Sequence, residues 1–249
     1  MSDNLFDDLT DVYEAMINWP KRLAHEEPFF RQLFEDAKAR NVVDTACGAG
    51  QHAAMIHDWG LRVEGADISR NMLQRARDLH GEPPGLRWVE RGFDQPIEPA
   101  EPLDAAICIG NSLALAPDNA TAQEAMLQML AAVRDGGIVV VHVLNIWRLP
   151  DGPCVWQKCR RAVISDREVL IVKGVHRCGS QGYVEMVVAE TTGDPEMHSE
   201  SFSFLGFEAA DLERMATEGG ATTVNCYGGY QNRPFVREKS VDLIMVATR

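Results

Sequence analysis

The stretch NVVDTACGAGQHAAMIHDWGLRVEGADIS (41–69) decides the fold. NVVDTA (41–46) is a short apolar run of the kind that forms a buried strand. It ends at a turn carrying Gly48 and Gly50. QHAAMIHDWG (51–60) then reads as a helix closed by Gly60, at the position that favours a left-handed residue. LRVEGAD (61–67) is a second strand, and Ser69 caps the next helix, NMLQRARDLHG, which ends at Gly81. Strand, turn, helix, strand at this pitch is a parallel βαβ unit.

The same rhythm continues outward. LRWVE (86–90) and LDAAICIG (103–110) give a third and a fourth strand. Asp118 or Asn119 caps a long helix reaching Val133, and IVVVHVLN (138–145) is a fifth strand. Near the end, FEAADLERMATEGG reads as helix, ATTVNCYGGY as strand and VDLIMVATR as strand. The loop between these last two strands is too short for a crossover helix, so they pair antiparallel. The predicted fold class is α/β: a doubly wound, Rossmann-like seven-stranded sheet with a C-terminal antiparallel hairpin. Residues 1–40 read as N-terminal helices in two pieces joined by WPKRLAHEEP (19–28), a candidate lid. Residues 148–205 hold three strand-like runs and are predicted to form an antiparallel β insertion beside the substrate site. The core then comprises 41–147 and 206–249 of a single domain.

Composition narrows the function classes. A formal net charge of −13 disfavours a nucleic-acid partner, since phosphate binding runs on clustered Lys and Arg. The one dense basic patch is WQKCRR (156–161). No apolar run approaches the ~20 residues of a membrane helix. The acidic start MSDNLFDDLTD has no secretion-signal pattern. Six scattered cysteines without CxxC spacing predict reduced thiols, no metal site and a cytoplasmic setting. A small-molecule substrate fits this balance; a homo-oligomer is left open.

The chemistry gathers at the strand ends. Asp44, Ala46, Gly48 and Gly50 form a loop whose backbone N–H groups can face an anionic ligand at a helix N-terminus. His52 opens that helix, either touching the ligand or capping. Asp67, followed by Ile68 and Met72, stands where an acid accepts ribose hydroxyls, or alternatively where it caps the next helix. Loop and acid together specify an adenosine-type cofactor and leave NAD and S-adenosylmethionine both open. After the third strand, Gly92, Phe93 and Asp94 offer a flat apolar face and an acceptor for adenine. After the fourth, Ile109, Gly110, Asn111 and Leu113 reach the sheet top. No Asn-Pro-Pro-aromatic sequence occurs there, which argues for a small acceptor over a nucleobase or a glutamine.

These motifs resemble the class I S-adenosylmethionine-dependent methyltransferases. Within them, LDAAICIGNSLALAPD (103–118) is similar to the "D-A-V-I-C-L-G-N-S" segment of the glycine and glycine/sarcosine N-methyltransferases. NWPKRLAHEEPFF (18–30) and YGGYQNRPF (227–235) also match, whereas 148–200 aligns poorly. The resemblance implies S-adenosyl-L-methionine as cofactor, Arg22 as ligand of its carboxylate, and Tyr13 and Trp19 over its methionine end. It implies methyl transfer to the amine of a small molecule such as glycine or sarcosine, with O- or S-methylation, or a non-catalytic cofactor-binding protein, as alternatives. Asn145 matches the Asn of the family's "H-R-N-Y-D" segment. Here the segment reads HVLNIWR (142–148), with Leu144 and Ile146 in place of Arg and Tyr. The cation for a substrate carboxylate is therefore displaced. Arg148 with Trp147 is the first candidate, ahead of Lys173 and Arg177. Asn111, Asn145 and Tyr230 are expected to orient the acceptor. His142, inside an apolar strand, reads as core, and His25 as a weak proton acceptor.

Overall fold

The computed structural model describes residues 12, 15–164, 167–191 and 197–249. Five parallel strands come first: β1 (Asn41–Asp44), β2 (Arg62–Asp67), β3 (Leu86–Glu90), β4 (Leu103–Cys108) and β5 (Val133–Leu144). After them a second sheet is built from β6 (Val155–Ile164), β7 (Arg167–Cys178), β8 (Gln181–Glu190) and β9 (Met197–Leu205), all antiparallel. The chain then returns through β10 (Thr223–Tyr227) and β11 (Asp242–Thr248). The main sheet runs β10-β11-β5-β4-β1-β2-β3, with β11 antiparallel to both of its neighbours.

The helices are α1 (Trp19–Asp36), α2 (Gln51–Asp58), α3 (Arg70–His80), α4 (Asn119–Ala132) and α5 (Ala209–Glu218). They cover both faces of the main sheet, so its central strands are apolar on both sides. Val43, Cys108 and Val139 face Met126, Met129 and Leu130 of α4 and Leu212 of α5. Their neighbours Val42, Ile107 and Val140 face Phe29, Phe30, Ile56 and Leu73. Phe204 and Val175 of the second sheet join the first of these clusters, which fixes the insertion on the core.

Two expectations need correction. Residues 19–36 form one helix, so WPKRLAHEEP is its first half and no joint. Asn18 caps it through its side chain, and Pro20 lies in the first turn, where a missing N–H costs nothing. Pro28 forfeits a single i→i−4 bond, which burial of Phe29, Phe30 and Phe34 offsets. The insertion has four strands, since WQKCRR lies within β6. The helical reading of residues 5–17 falls largely outside the described residues; Val12 and Met16 pack on the second sheet.

The strand order reverses between β1 and β4. In an open α/β sheet the ligand crevice lies there, beyond the carboxyl ends of the strands.

Candidate active site

The loop after β1 carries its two glycines for different reasons. Gly50 has φ +78°, and a Cβ there would collide with the Trp88 indole. It holds α2 close to β3. Gly48 has φ +54° with open space where a Cβ would stand, so it borders the crevice. Asp67 at the end of β2 closes the loop. Its Oδ2 accepts the Gly48 N–H at 2.8 Å, and its Oδ1 accepts the Ser69 N–H at 2.9 Å. Ser69 itself caps α3 through Met72 N–H. Asp67 thus braces the glycine loop and the start of α3 at once. No side chain caps α2 at Gly50, so its first N–H groups remain available to an anion.

Asp44 is buried, and its Oδ1 has no hydrogen-bond partner. Burial, aided by the Asp67 charge and opposed by the Ala46 N–H and Arg22, pushes its carboxyl up to about 7. An unsatisfied buried acid beside an open glycine loop is suited to a cationic group.

Arg22 of α1 faces this loop from across Gly110, whose hypothetical Cβ lies 3.7 Å from the guanidinium. Its Nε donates to Glu26 Oε1 at 2.9 Å, and Glu26 Oε2 lies 2.6 Å from His52 Nε2. Burial raises the Glu26 carboxyl, but the His52 hydrogen bond and the Arg22 charge outweigh it and hold it at about 2. Burial keeps His52 neutral. Glu26 is therefore an ionised clamp that fixes Arg22 along α1. The Arg22 guanidinium lies 5.1 Å from the centroid of the Trp19 ring, and Trp19 meets His52 edge-on. Tyr13 lies outside the described residues.

The other strand ends divide. Ile68 is 64 % exposed directly beside Asp67, an apolar side chain without a packing role in the fold. Phe93 is half-buried against the core, Asp94 is exposed, and Gly92 just before them is buried. Gly110 and Asn111 both adopt left-handed backbone, and Asn111 Oδ1 accepts the Leu144 N–H at 2.8 Å. Met72, Ile109 and Leu113 are core residues, and Ala46 packs against the core edge.

Between this crevice and the second sheet lies a cavity of about 810 Å³. Arg22, Glu26, His25, Gly110, Asn111, His142, Leu144, Tyr230 and Asp242 line it from the main sheet and α1. Lys158, Arg160, Lys173, Met186 and Phe202 line it from the meander. His142 is thus in the wall, where its position inside an apolar strand pointed to the core. Its Nδ1 accepts the Gly110 N–H at 3.1 Å and its Nε2 lies 3.2 Å from Asp242 Oδ1. With Nδ1 accepting, the proton sits on Nε2 and is donated to Asp242. Both nitrogens are engaged, so His142 orients Asp242 and has no lone pair to offer as a base. Tyr230 packs among Phe29, Phe30, His25 and His142. Burial drives its phenol well above the ordinary value, and its buried hydroxyl has no partner in good geometry. Tyr230 lines the cavity beside Arg22 and, with its phenol shifted upward, is not a base.

Three expected substrate residues do not line the cavity. Asn145 is buried and donates to the carbonyls of Arg237 and Ser240, both at 2.7 Å. Trp147 donates to Phe207 O and lies beneath Arg237 and Arg177. Arg148 follows in the same short 3-10 turn, its buried Nε unpartnered. Arg177 is tied to Asp151 and Leu149 O. Of the cations considered, Lys173 alone reaches the cavity. Sequence reasoning matched Glu26 to the family's entry segment without giving it a role, and missed Asp242, Lys158 and Arg160. A Glu four residues after Arg22 was a readable signal for the role of Glu26; Lys158 and Arg160 depend on how the second sheet docks, and Asp242 on the pairing of β11 with β5.

Residues 42–137 match the family model described as a methyltransferase domain. A glycine/sarcosine N-methyltransferase of Parasynechococcus marenigrum is 32 % identical over 150 residues, 59 % of this chain and 52 % of that protein. A glycine N-methyltransferase of Oryctolagus cuniculus is 28 % identical over 212 residues, 75 % of this chain and 72 % of that protein. The match thus spans about half the length of the first relative. Among solved structures, the CcbJ methyltransferase from Streptomyces caelestis superposes with TM-score 0.78 at 20 % identity, covering 100 % of this chain and 99 % of that one. CalS10, an amino pentose methyltransferase from Micromonospora echinaspora solved with S-adenosylmethionine bound, gives 0.73 at 21 % identity, with 96 % of each chain covered. The fold is theirs. With the glycine loop, Asp67 and the antiparallel β11 in place, the chain carries a methyltransferase domain over 42–137 and resembles the class I S-adenosylmethionine-dependent methyltransferases, among them the glycine and glycine/sarcosine N-methyltransferases.

Proposed function

We propose that this protein transfers the methyl group of S-adenosylmethionine to the amine nitrogen of a small molecule. The observation that carries the reading is the convergence of Arg22, Asp44, Gly48 and Asp67 on a crevice that opens into the cavity holding Asp242. Arg22 and the α2 N-terminus suit the cofactor's carboxylate, and Asp44 its ammonium. Asp67 retains acceptor capacity for ribose hydroxyls, and Ile68 offers an apolar face to adenine. Bound there, S-adenosylmethionine supplies a methyl carbon already activated for direct displacement by its sulfonium. The chain's own residues then have to align the acceptor and keep its lone pair free.

The cavity favours an amine over a phenol or a thiol. A phenol or thiol gains no charge partner there, and neither His142, locked between Gly110 and Asp242, nor the upward-shifted Tyr230 phenol is free to take its proton. An ammonium is held by a carboxylate, and Asp242 lines the cavity with its Oδ1 fixed by His142; once its proton leaves to water, the amine has its lone pair free. The curated relatives named above act on glycine and sarcosine, which supports nitrogen as the acceptor atom. The test is release of S-adenosylhomocysteine with a panel of small amines, phenols and thiols. Turnover with amines is expected. Turnover confined to phenols or thiols would reject the reading.

A further inference from the structure

The meander wall of the cavity holds three cations that have no ion-pair partner among the described residues. Lys158 on β6 and Lys173 on β7 are direct cross-strand partners, and Arg160 lines the same cavity. Like charges opposite each other weaken a sheet. No carboxylate among the described residues compensates. Among the described residues, the acids lining the cavity are Glu26 and Asp242, and these are held by Arg22, His52 and His142. Other arginines of the same meander do find partners: Arg167 pairs with Glu190 and Arg177 with Asp151.

The backbone goes out of its way to make this arrangement. Trp156 pairs with Gly174, yet the next pair along is Lys158 with Lys173, so β6 carries one extra residue, Gln157, in a bulge. Without the bulge, Gln157 would oppose Lys173 and Lys158 would turn to the other face. Bulges that re-aim a side chain concentrate beside active sites. Around Lys173 the wall is apolar, with Met186, its partner on β8, and Phe202. Burial among these groups, with the charges of Lys158 and Arg22 acting in the same sense, lowers the Lys173 ammonium to about 8. A chain of net charge −13 that concentrates unneutralised cations in a half-apolar cavity has a place for an anion and leaves it to a ligand to fill.

We propose that Lys158, Arg160 and Lys173 form an oxyanion subsite for the methyl acceptor. The acceptor is then a small amine that also carries a carboxylate or a phosphate, its amine toward Asp242 and its anionic group toward the meander. This rests on the reading of the cavity as the acceptor site.

The full chain, with S-adenosylhomocysteine added to saturation, is titrated calorimetrically at pH 7 with glycine, O-phosphoethanolamine, ethanolamine and inorganic phosphate. At least one anionic amine should bind at least tenfold more tightly than ethanolamine. Glycine alone marks a carboxylate, and O-phosphoethanolamine with inorganic phosphate marks a phosphate. Lys173→Met and Lys158→Gln should each weaken that ligand at least tenfold, and Lys173→Arg should restore most of it. Because a like-charge pair is removed, Lys173→Met should melt no lower than the wild type, which separates a ligand role from a structural one. Equal binding of ethanolamine and both anionic amines, or unchanged affinity in the folded Met and Gln variants, would overturn the subsite. Lys173-dependent phosphate binding without any response to S-adenosylhomocysteine would uphold the subsite and sink the methyl-transfer reading instead.

Discussion

The Gly48 N–H donates to Asp67 Oδ2 at 2.8 Å, so the acid at the end of β2 closes the loop after β1 before any ligand arrives. Asp67 therefore has two tasks that a single substitution removes together. Asp67→Ala should weaken S-adenosylmethionine binding by about 1–3 kcal/mol through lost hydrogen bonds, and should lower the melting temperature as the loop loses its brace. Calorimetry and thermal unfolding measure the two effects. Unchanged affinity with a lowered melting point would reduce Asp67 to a structural role.

The two glycines of that loop should respond oppositely. Gly50→Ala meets the Trp88 indole at a positive φ, and overpacking of this kind costs about 1–3 kcal/mol, with left-handed strain in addition. Gly48→Ala meets nothing and carries only the strain, about 1–2 kcal/mol, while its methyl group projects into the crevice. The expected pattern is a stability loss dominated by Gly50 and a cofactor-affinity loss dominated by Gly48. Urea denaturation and calorimetry on both variants read it directly.

Asp44 sets a pH dependence. Its folded pKa, about 7, lies above its ordinary 3.8, so the free protein keeps a proton that the unfolded chain has lost. The stability this contributes is full below pH 4 and fades as pH rises through 7. A cationic cofactor group favours the ionised acid. S-adenosylmethionine affinity should then rise between pH 6 and 8, with proton release on binding. Asp44→Asn should flatten that slope; a slope identical to the wild type would remove Asp44 from the site.

Much of this was legible because it is local. The glycine loop, Asp67 and the antiparallel final hairpin follow from residues close together in the chain or from loop length. What escaped depended on tertiary context. Pro28 reads as a break, and Phe packing overrides it. VWQKCRRAVI lacks apolar alternation because the cavity-facing positions of β6 carry Lys158 and Arg160, so a strand shaped by its site hides as a basic patch. Trp147 and Arg148 follow β5 directly in sequence, but Asn145, anchored to the carbonyls of Arg237 and Ser240, turns them toward Phe207 and away from the cavity.

Glu26 is the clamp that nearness in sequence hinted at. Its carboxyl, held at about 2, contributes stability that is complete above its ordinary 4.5 and lost as pH falls toward 2. Glu26→Gln breaks a buried pair, at a cost of about 3–5 kcal/mol, and releases Arg22. Denaturation between pH 3 and 7 should show a flatter acid limb in the variant, and cofactor affinity at pH 7 should fall about tenfold or more, since a charge-assisted bond from Arg22 is worth about 1.5–3 kcal/mol.

The most direct measurement is calorimetric titration of the full chain with S-adenosylhomocysteine and, separately, with NADH. The glycine loop, Asp67 and the Arg22–Glu26 clamp predict one-to-one binding of S-adenosylhomocysteine and no heat from NADH. Binding of NADH without any response to S-adenosylhomocysteine would contradict the assignment of this crevice to a methyl donor.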